Sequence, residues 1–152
     1  MLTSIQGKSV IVTRGSSGIG KGIARVFAKN GAKVLVVARR EEATRQVVED
    51  ILLGGGAASY FLGDVRCYED MEKAAQTAID RNGGVDILCA NAGIAPLSKL
   101  NAMSGEEWNL VLQTNLTGCF NIIKACVPSM QKSQWCRIIL PSSITGALTG
   151  VE

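Results

Sequence analysis

Apolar positions along the chain switch repeatedly between two periods. Lys8 to Thr13 (KSVIVT) is a short β-branched run ending at a glycine and serine cluster, and from Gly18 onward the spacing turns helical, with Ile19, Ile23, Val26 and Phe27 on one face. Asn30-Gly31 closes that helix, Lys33 to Ala38 (KVLVVA) is a second buried-type strand, and Glu41 to Leu53 is again helical before the break at Gly54-Gly55-Gly56. Ala57 to Leu62 is a weaker third strand. Glu69 to Asn82 is a helix stopped by Gly83-Gly84, and Val85 to Ala90 (VDILCA) is a fourth strand. Ser104 to Glu107 has the form of a capping box and opens a long helical region reaching Lys132, with a bend expected near Pro128. Arg137 to Leu140 (RIIL) is the fifth strand.

Strands that are nearly continuous in apolar residues and alternate with helices predict a parallel sheet covered on both faces, because the crossover helices shield it from water. The expected fold class is therefore α/β, a Rossmann-type doubly wound parallel sheet, read here as truncated after its fifth strand. A length of 152 residues, with no linker or repeat, suits one domain over residues 1–152.

Composition narrows the chemistry. The chain has no histidine, which removes Ser-His-Asp and Cys-His nucleophile systems, histidine bases and His-containing zinc sites. No metal site is expected. Five cysteines without a C-x-x-C pair fit reduced thiols in a cytoplasmic protein. A net charge of +3 is spread along the chain, so nucleic acid is not an expected partner, and no uninterrupted apolar run has the length of a membrane span.

Thr13 to Gly20 (TRGSSGIG) lies between a strand and a helix, the context in which a glycine-rich turn binds phosphates: Gly18 and Gly20 allow close approach, and the free N–H groups at the helix start attract anions. The plain structural alternative is a tight β–α connection with incidental glycines.

That turn, together with Asp64-Val65, Asn91-Ala92-Gly93, Asn115 within Thr-Asn-Leu-Thr-Gly, and Ser142-Ser143, resembles in order and spacing the short-chain dehydrogenase/reductases, and most of all their 3-oxoacyl-[acyl-carrier-protein] reductase type. The resemblance implies a site assembled as follows. Gly15, Ser17, Gly18, Ile19 and Gly20 line the cofactor pyrophosphate turn, Asp64 accepts from the adenine amino group and Val65 flanks the adenine. Asn91, Ala92 and Gly93 sit beside the cofactor ribose. Asn115 holds a water of a proton relay, and Ser143 bonds the substrate carbonyl. Each has a bland counterpart as a cap, a strand end or a turn residue. Ala38 and Arg39 at the end of the second strand resemble the NADP-preferring members, since no carboxylate opposes a 2′-phosphate and a guanidinium follows. The implied cofactor is NADP, the implied partner a small-molecule carbonyl or acyl thioester substrate, and the implied complete form a homo-oligomer.

Two departures from the family pattern stand out. Arg14 replaces the usual first glycine, so either Arg14 adopts a conformation that is costly for it, Gly15 takes over the permissive role, or Arg14 grips a 2′-phosphate. The family's Tyr-x-x-x-Lys is not present: Tyr60 and Tyr68 are followed four residues later by Asp64 and Glu72. The expectation is an NADP-dependent oxidoreductase in its longer form, with the 152-residue chain itself inactive. The alternative is a non-catalytic nucleotide-binding remnant.

Overall fold

A computed structural model describes residues 4–133 and 135–143. In chain order it contains β1 (Ser9–Thr13), α1 (Gly18–Lys29), β2 (Lys33–Ala38), α2 (Glu41–Leu53), β3 (Ala57–Leu62), α3 (Tyr68–Asn82), β4 (Ile87–Cys89), α4 (Gly105–Leu112), α5 (Gly118–Met130) and β5 (Arg137–Ile139). The strands form one parallel sheet in the order β3-β2-β1-β4-β5. After β3 the chain crosses to the other side of β1. The strand order therefore reverses between β1 and β4, and a crevice opens beyond their carboxyl ends.

The pleat of β1 explains how one strand serves two cores. Val10 and Val12 face Ala24, Ala28, Val47 and Ile51 of α1 and α2, whereas Ile11 faces Met71, Ala78, Ile122 and Cys126 of α3 and α5. All three β1 residues are fully buried, as a strand covered on both faces requires.

The expected face of α1 is corrected. Ile23 and Phe27 do pack against the core, but Ile19 is 73% and Val26 61% exposed. The buried stripe is Gly20, Ala24 and Ala28. These small residues at i, i+4 and i+8 let the helix axis lie close to β1 and β2, which larger side chains would prevent.

The long helical region runs from Gly105 to Met130, and its irregularity falls upstream of Pro128. Residues Gln113–Thr117 form a π-helical turn, marked by the Gly118 N–H reaching back five residues to the Gln113 carbonyl. Half of the capping box is realised. Ser104 Oγ accepts the Glu107 N–H at 3.1 Å, while the Glu107 carboxylate turns instead to Ser98 Oγ at 2.6 Å. By length and composition the 26-residue stretch would suffice to cross a membrane. Its α5 half places Asn121, Ile122, Cys126 and Met130 in the protein interior, while Trp108, Leu112, Leu116 and Phe120 are exposed.

Candidate functional site

The site is built where β1, β2, β3 and β4 end. Register aligns Thr13 with Val37, Ala38 with Leu62, and Val12 with Cys89, so the segments that follow these strands emerge together at one edge of the sheet. They enclose a cleft lined by Arg14, Ser16 and Ser17 after β1, Ala38, Arg39 and Arg40 after β2, Asp64 and Val65 after β3, and Ala92, Gly93 and Ile94 after β4.

The turn after β1 has the conformation expected of an anion-binding loop, reached by an unexpected residue. Arg14 itself adopts φ +52°, and Gly15 does not take over that role. A non-glycine residue there costs on the order of 1 kcal/mol. Gly15 is needed for space, because a Cβ on it would lie 2.8 Å from Val36 Cγ1. At Gly20 the crowding is greater: a Cβ would lie 2.4 Å from the Arg14 carbonyl oxygen and 2.5 Å from Asn91 Nδ2. Gly18 takes φ +52° and opens α1.

The start of α1 is electrostatically distinct. The first turns of α2, α3 and α4 carry Glu41 and Glu42, Glu69 and Asp70, and Glu106 and Glu107, which neutralise the positive helix ends. The first turn of α1 has no acidic residue, and the Ser17 side chain makes no capping bond. Its N–H groups are left for a partner from outside the helix.

Asn91 works behind the cleft. Its Nδ2 donates to the Thr13 carbonyl at 3.1 Å, while the Ala92 N–H donates to Thr13 Oγ1 at 2.9 Å. The turn after β1 and the segment after β4 are thus stitched together, with Ala92 and Gly93 left to face the cleft. Thr13, buried and bonded on two sides, was not among the expected site residues; its signal was a hydroxyl closing the apolar run Val10 to Val12.

Asp64 is more heavily engaged than a free adenine acceptor would be. Arg66 donates to it from its backbone N–H at 3.0 Å, from Nε to both carboxylate oxygens, and from Nη2 at 2.6 Å. Arg39 Nη1 lies 3.6 Å away. The Arg66 hydrogen bonds, assisted by the positive charges of Arg66 and Arg39, hold the Asp64 carboxyl below its ordinary range in spite of opposing partial burial. A carboxylate has about four acceptor directions, so capacity for a further donor persists. Val65 is buried, its carbonyl accepting from Asn121 Nδ2 at 2.9 Å. The Asp64 N–H is tied to Asp70 Oδ2 at 3.0 Å.

Asn115 occupies the centre of the π turn. Its Oδ1 accepts the Ile94 N–H and its Nδ2 donates to the Ile94 carbonyl, both at 2.8 Å, as one strand would pair with another. The distortion swings this amide toward the cleft wall, where the neighbouring Thr114 is a lining residue. Ser143 follows β5 at the same end of the sheet and is exposed. Among the described residues, the cleft lining includes no tyrosine and no lysine. Tyr68 does meet a lysine, with Lys124 Nζ 4.5 Å from its ring centre, but this pair lies in the groove between α3 and α5. Desolvation, together with Glu72, raises the Tyr68 pKa, opposite to what proton transfer at neutral pH demands.

Comparison with known proteins gives a consistent result. The short chain dehydrogenase family model matches residues 8–152. An uncharacterized oxidoreductase of Listeria monocytogenes is 39% identical over 143 residues, covering 94% of this chain and 58% of the relative. A 3-oxoacyl-[acyl-carrier-protein] reductase of Vibrio cholerae is 38% identical over 145 residues, covering 95% of this chain and 58% of the relative. Among solved structures, a metagenomic short-chain oxidoreductase in complex with NADP superposes with a TM-score of 0.89 at 30% identity, covering 98% of this chain and 68% of the other. The chain thus spans a little over half the length of the curated relatives it matches.

Proposed function

Because the chain belongs to the short-chain dehydrogenase family, whose members bind a nicotinamide cofactor, we propose that its cleft binds NADP and that the protein in its longer form is a carbonyl or 3-oxoacyl reductase. The carrying observation is the end of β2, where Ala38 offers no carboxylate and Arg39 stands in the cleft beside the unneutralised start of α1. Residues and cofactor fit. Gly20 is packed so closely that a Cβ has no room, and the cleft gathers Arg14, Arg39 and Arg40 around Asp64, the lone acidic lining residue among those described.

In this reading the Ser17 to Gly20 N–H groups hold the pyrophosphate, Arg39 the 2′-phosphate, Asp64 and Val65 the adenine, and Ala92 and Gly93 the ribose. A nicotinamide held there would supply hydride-transfer chemistry. Ser143 donates its hydroxyl hydrogen to the substrate carbonyl oxygen and stabilises the charge that develops on it. Asn115, fixed by Ile94, orders a water against the helix backbone. The substrate is a small carbonyl compound or acyl thioester. The exposed Trp108, Leu112, Leu116 and Phe120, four residues apart, favour pairing between subunits of a homo-oligomer. The five free thiols suit a reducing cytoplasm.

A second reading, nucleotide binding without turnover, is favoured by one observation: neither Tyr60 nor Tyr68 begins a Tyr-x-x-x-Lys sequence. Fluorescence titration of the purified protein with NADPH and NADH tests the reading common to both. NADPH is expected to bind at least about tenfold more tightly, since one charge-assisted contact at a partly exposed site already supplies that factor. Equal affinities would remove Arg39 as the phosphate ligand, and no binding of either would remove the cofactor assignment.

A further inference from the structure

Arg14 does more than replace a glycine. Its guanidinium Nη1 donates to the Gly93 carbonyl oxygen, and both residues line the cleft. The side chain therefore ties the turn after β1 to the segment after β4, one residue from where Asn115 grips Ile94. The first of these walls is the one assigned above to the pyrophosphate, the second the one assigned to the cofactor ribose. Among the lining residues Asp64 carries the lone carboxylate, and it is already bonded by Arg66 and approached by Arg39. Among the described residues, an Arg14 side chain released from Gly93 thus meets no unengaged carboxylate in the cleft lining.

We infer that Arg14 is a specificity-determining latch, closed on Gly93 in the free protein, that disfavours dinucleotides lacking a phosphate on the adenosine ribose. The inference rests on the dinucleotide reading of the cleft. A ligand seated between the two walls opens the Arg14 to Gly93 bond. NADPH supplies the displaced guanidinium with a phosphate, an acceptor that a planar fork binds better than a neutral carbonyl. NADH supplies nothing, so its binding bears the loss uncompensated. Discrimination is a difference of two affinities. Arg39 widens it by strengthening NADPH, and Arg14 widens it by weakening NADH.

The two roles separate in one experiment: dissociation constants for NADPH and NADH, by fluorescence titration, of the wild-type protein, Arg14→Gly, Arg14→Ala and Arg39→Ala, with thermal melts of each unliganded protein. Arg14→Gly is expected to melt no lower than wild type, since glycine accepts φ +52° without a Cβ penalty. It is expected to bind NADH about five- to tenfold more tightly and NADPH within about twofold of wild type. Arg14→Ala keeps a Cβ and loses the guanidinium, so the same gain in NADH affinity there assigns the effect to the latch. Unchanged or weaker NADH binding in both variants overturns the inference, as does a gain confined to Arg14→Gly. A wild-type protein that binds neither dinucleotide overturns the underlying reading and the latch with it. A wild-type preference for NADPH that Arg39→Ala leaves unchanged, with NADH binding improved in both Arg14 variants, overturns the Arg39 assignment and leaves the latch supported.

Discussion

Arg39 Nη1 lies 3.6 Å from Asp64 Oδ2, so the cation that follows β2 and the anion that follows β3 meet over the same cleft. The pairing is loose. Arg66 holds that oxygen at 2.6 Å, and the Arg39 side chain remains 65% exposed. Asp64 therefore steadies Arg39 without sequestering it, which is the condition a phosphate ligand has to meet.

From this follows a mutational signature. Arg39→Ala should weaken NADPH about tenfold and leave NADH nearly unchanged, while Ala38→Asp should reverse the preference by placing a carboxylate against the phosphate. Parallel titrations at one ionic strength check both, and an Arg39→Ala protein that keeps its full preference would locate selectivity elsewhere.

The depressed Asp64 pKa has a stability consequence with a definite sign. Its folded value lies below the ordinary 3.8, so its contribution is complete above that value and is lost as pH falls below it, through the folded value. Asp64→Asn should cost under about 1 kcal/mol at pH 7, given solvent screening, and should flatten the acid limb below pH 4. Urea melts from pH 2 to pH 7 measure the difference between the two proteins.

Two glycines in the same helix should answer oppositely. A Cβ at Gly20 meets the Arg14 carbonyl and the Asn91 amide, whereas at Gly22 nothing lies within 4 Å. Gly20→Ala is expected to destabilise by roughly 1–3 kcal/mol and to abolish dinucleotide binding, and Gly22→Ala to stabilise by about 0.5–1 kcal/mol with binding intact. Thermal melts and titrations on both proteins decide it.

Asn115→Ala removes both hydrogen bonds to Ile94 and should cost about 1–2 kcal/mol. Exchange of the Ile94 amide should accelerate relative to that of Ile11, which lies in the buried centre of β1. Equal protection before and after the substitution would deny Asn115 its hold on the segment.

The 152-residue polypeptide should bind NADPH without oxidising it in the presence of a ketoacyl substrate. In the proposed mechanism Ser143 and Asn115 orient groups without replacing a phenolic proton donor, and Tyr68 is turned toward Lys124 and Glu72 in a different groove. Sustained loss of the reduced nicotinamide's near-ultraviolet absorbance from material whose mass matches this sequence would contradict that expectation.

Fold and site were unequally legible in the residues. Strands such as Lys33–Ala38 announce themselves because a parallel strand buried on both faces is a nearly continuous apolar run, Val34 to Ala38 here. The face of α1 was misread because periodicity counts large apolar residues, whereas close packing on the sheet selected Gly20, Ala24 and Ala28. The cleft residues were visible as a spaced set. Their engagements were not: that Arg66 would fold back onto Asp64 depends on the conformation of one turn, and that Arg14 would reach the Gly93 carbonyl depends on two distant turns meeting in space. The π turn left no mark in composition at all.

That turn acts as a phase shift in the long helix. A π turn holds one residue more than the regular winding, and each residue of an α-helix advances the direction of its side chains by about 100°. Deleting one residue from Gln113–Thr117 would restore regular winding and rotate α5 by that angle relative to α4. Ile122, Cys126 and Met130 would leave the sheet, or Asn115 would leave Ile94. The extra residue lets a single helix satisfy two masters, a cleft wall at one end and a hydrophobic core at the other. A shortened helix should fold only by abandoning one of them.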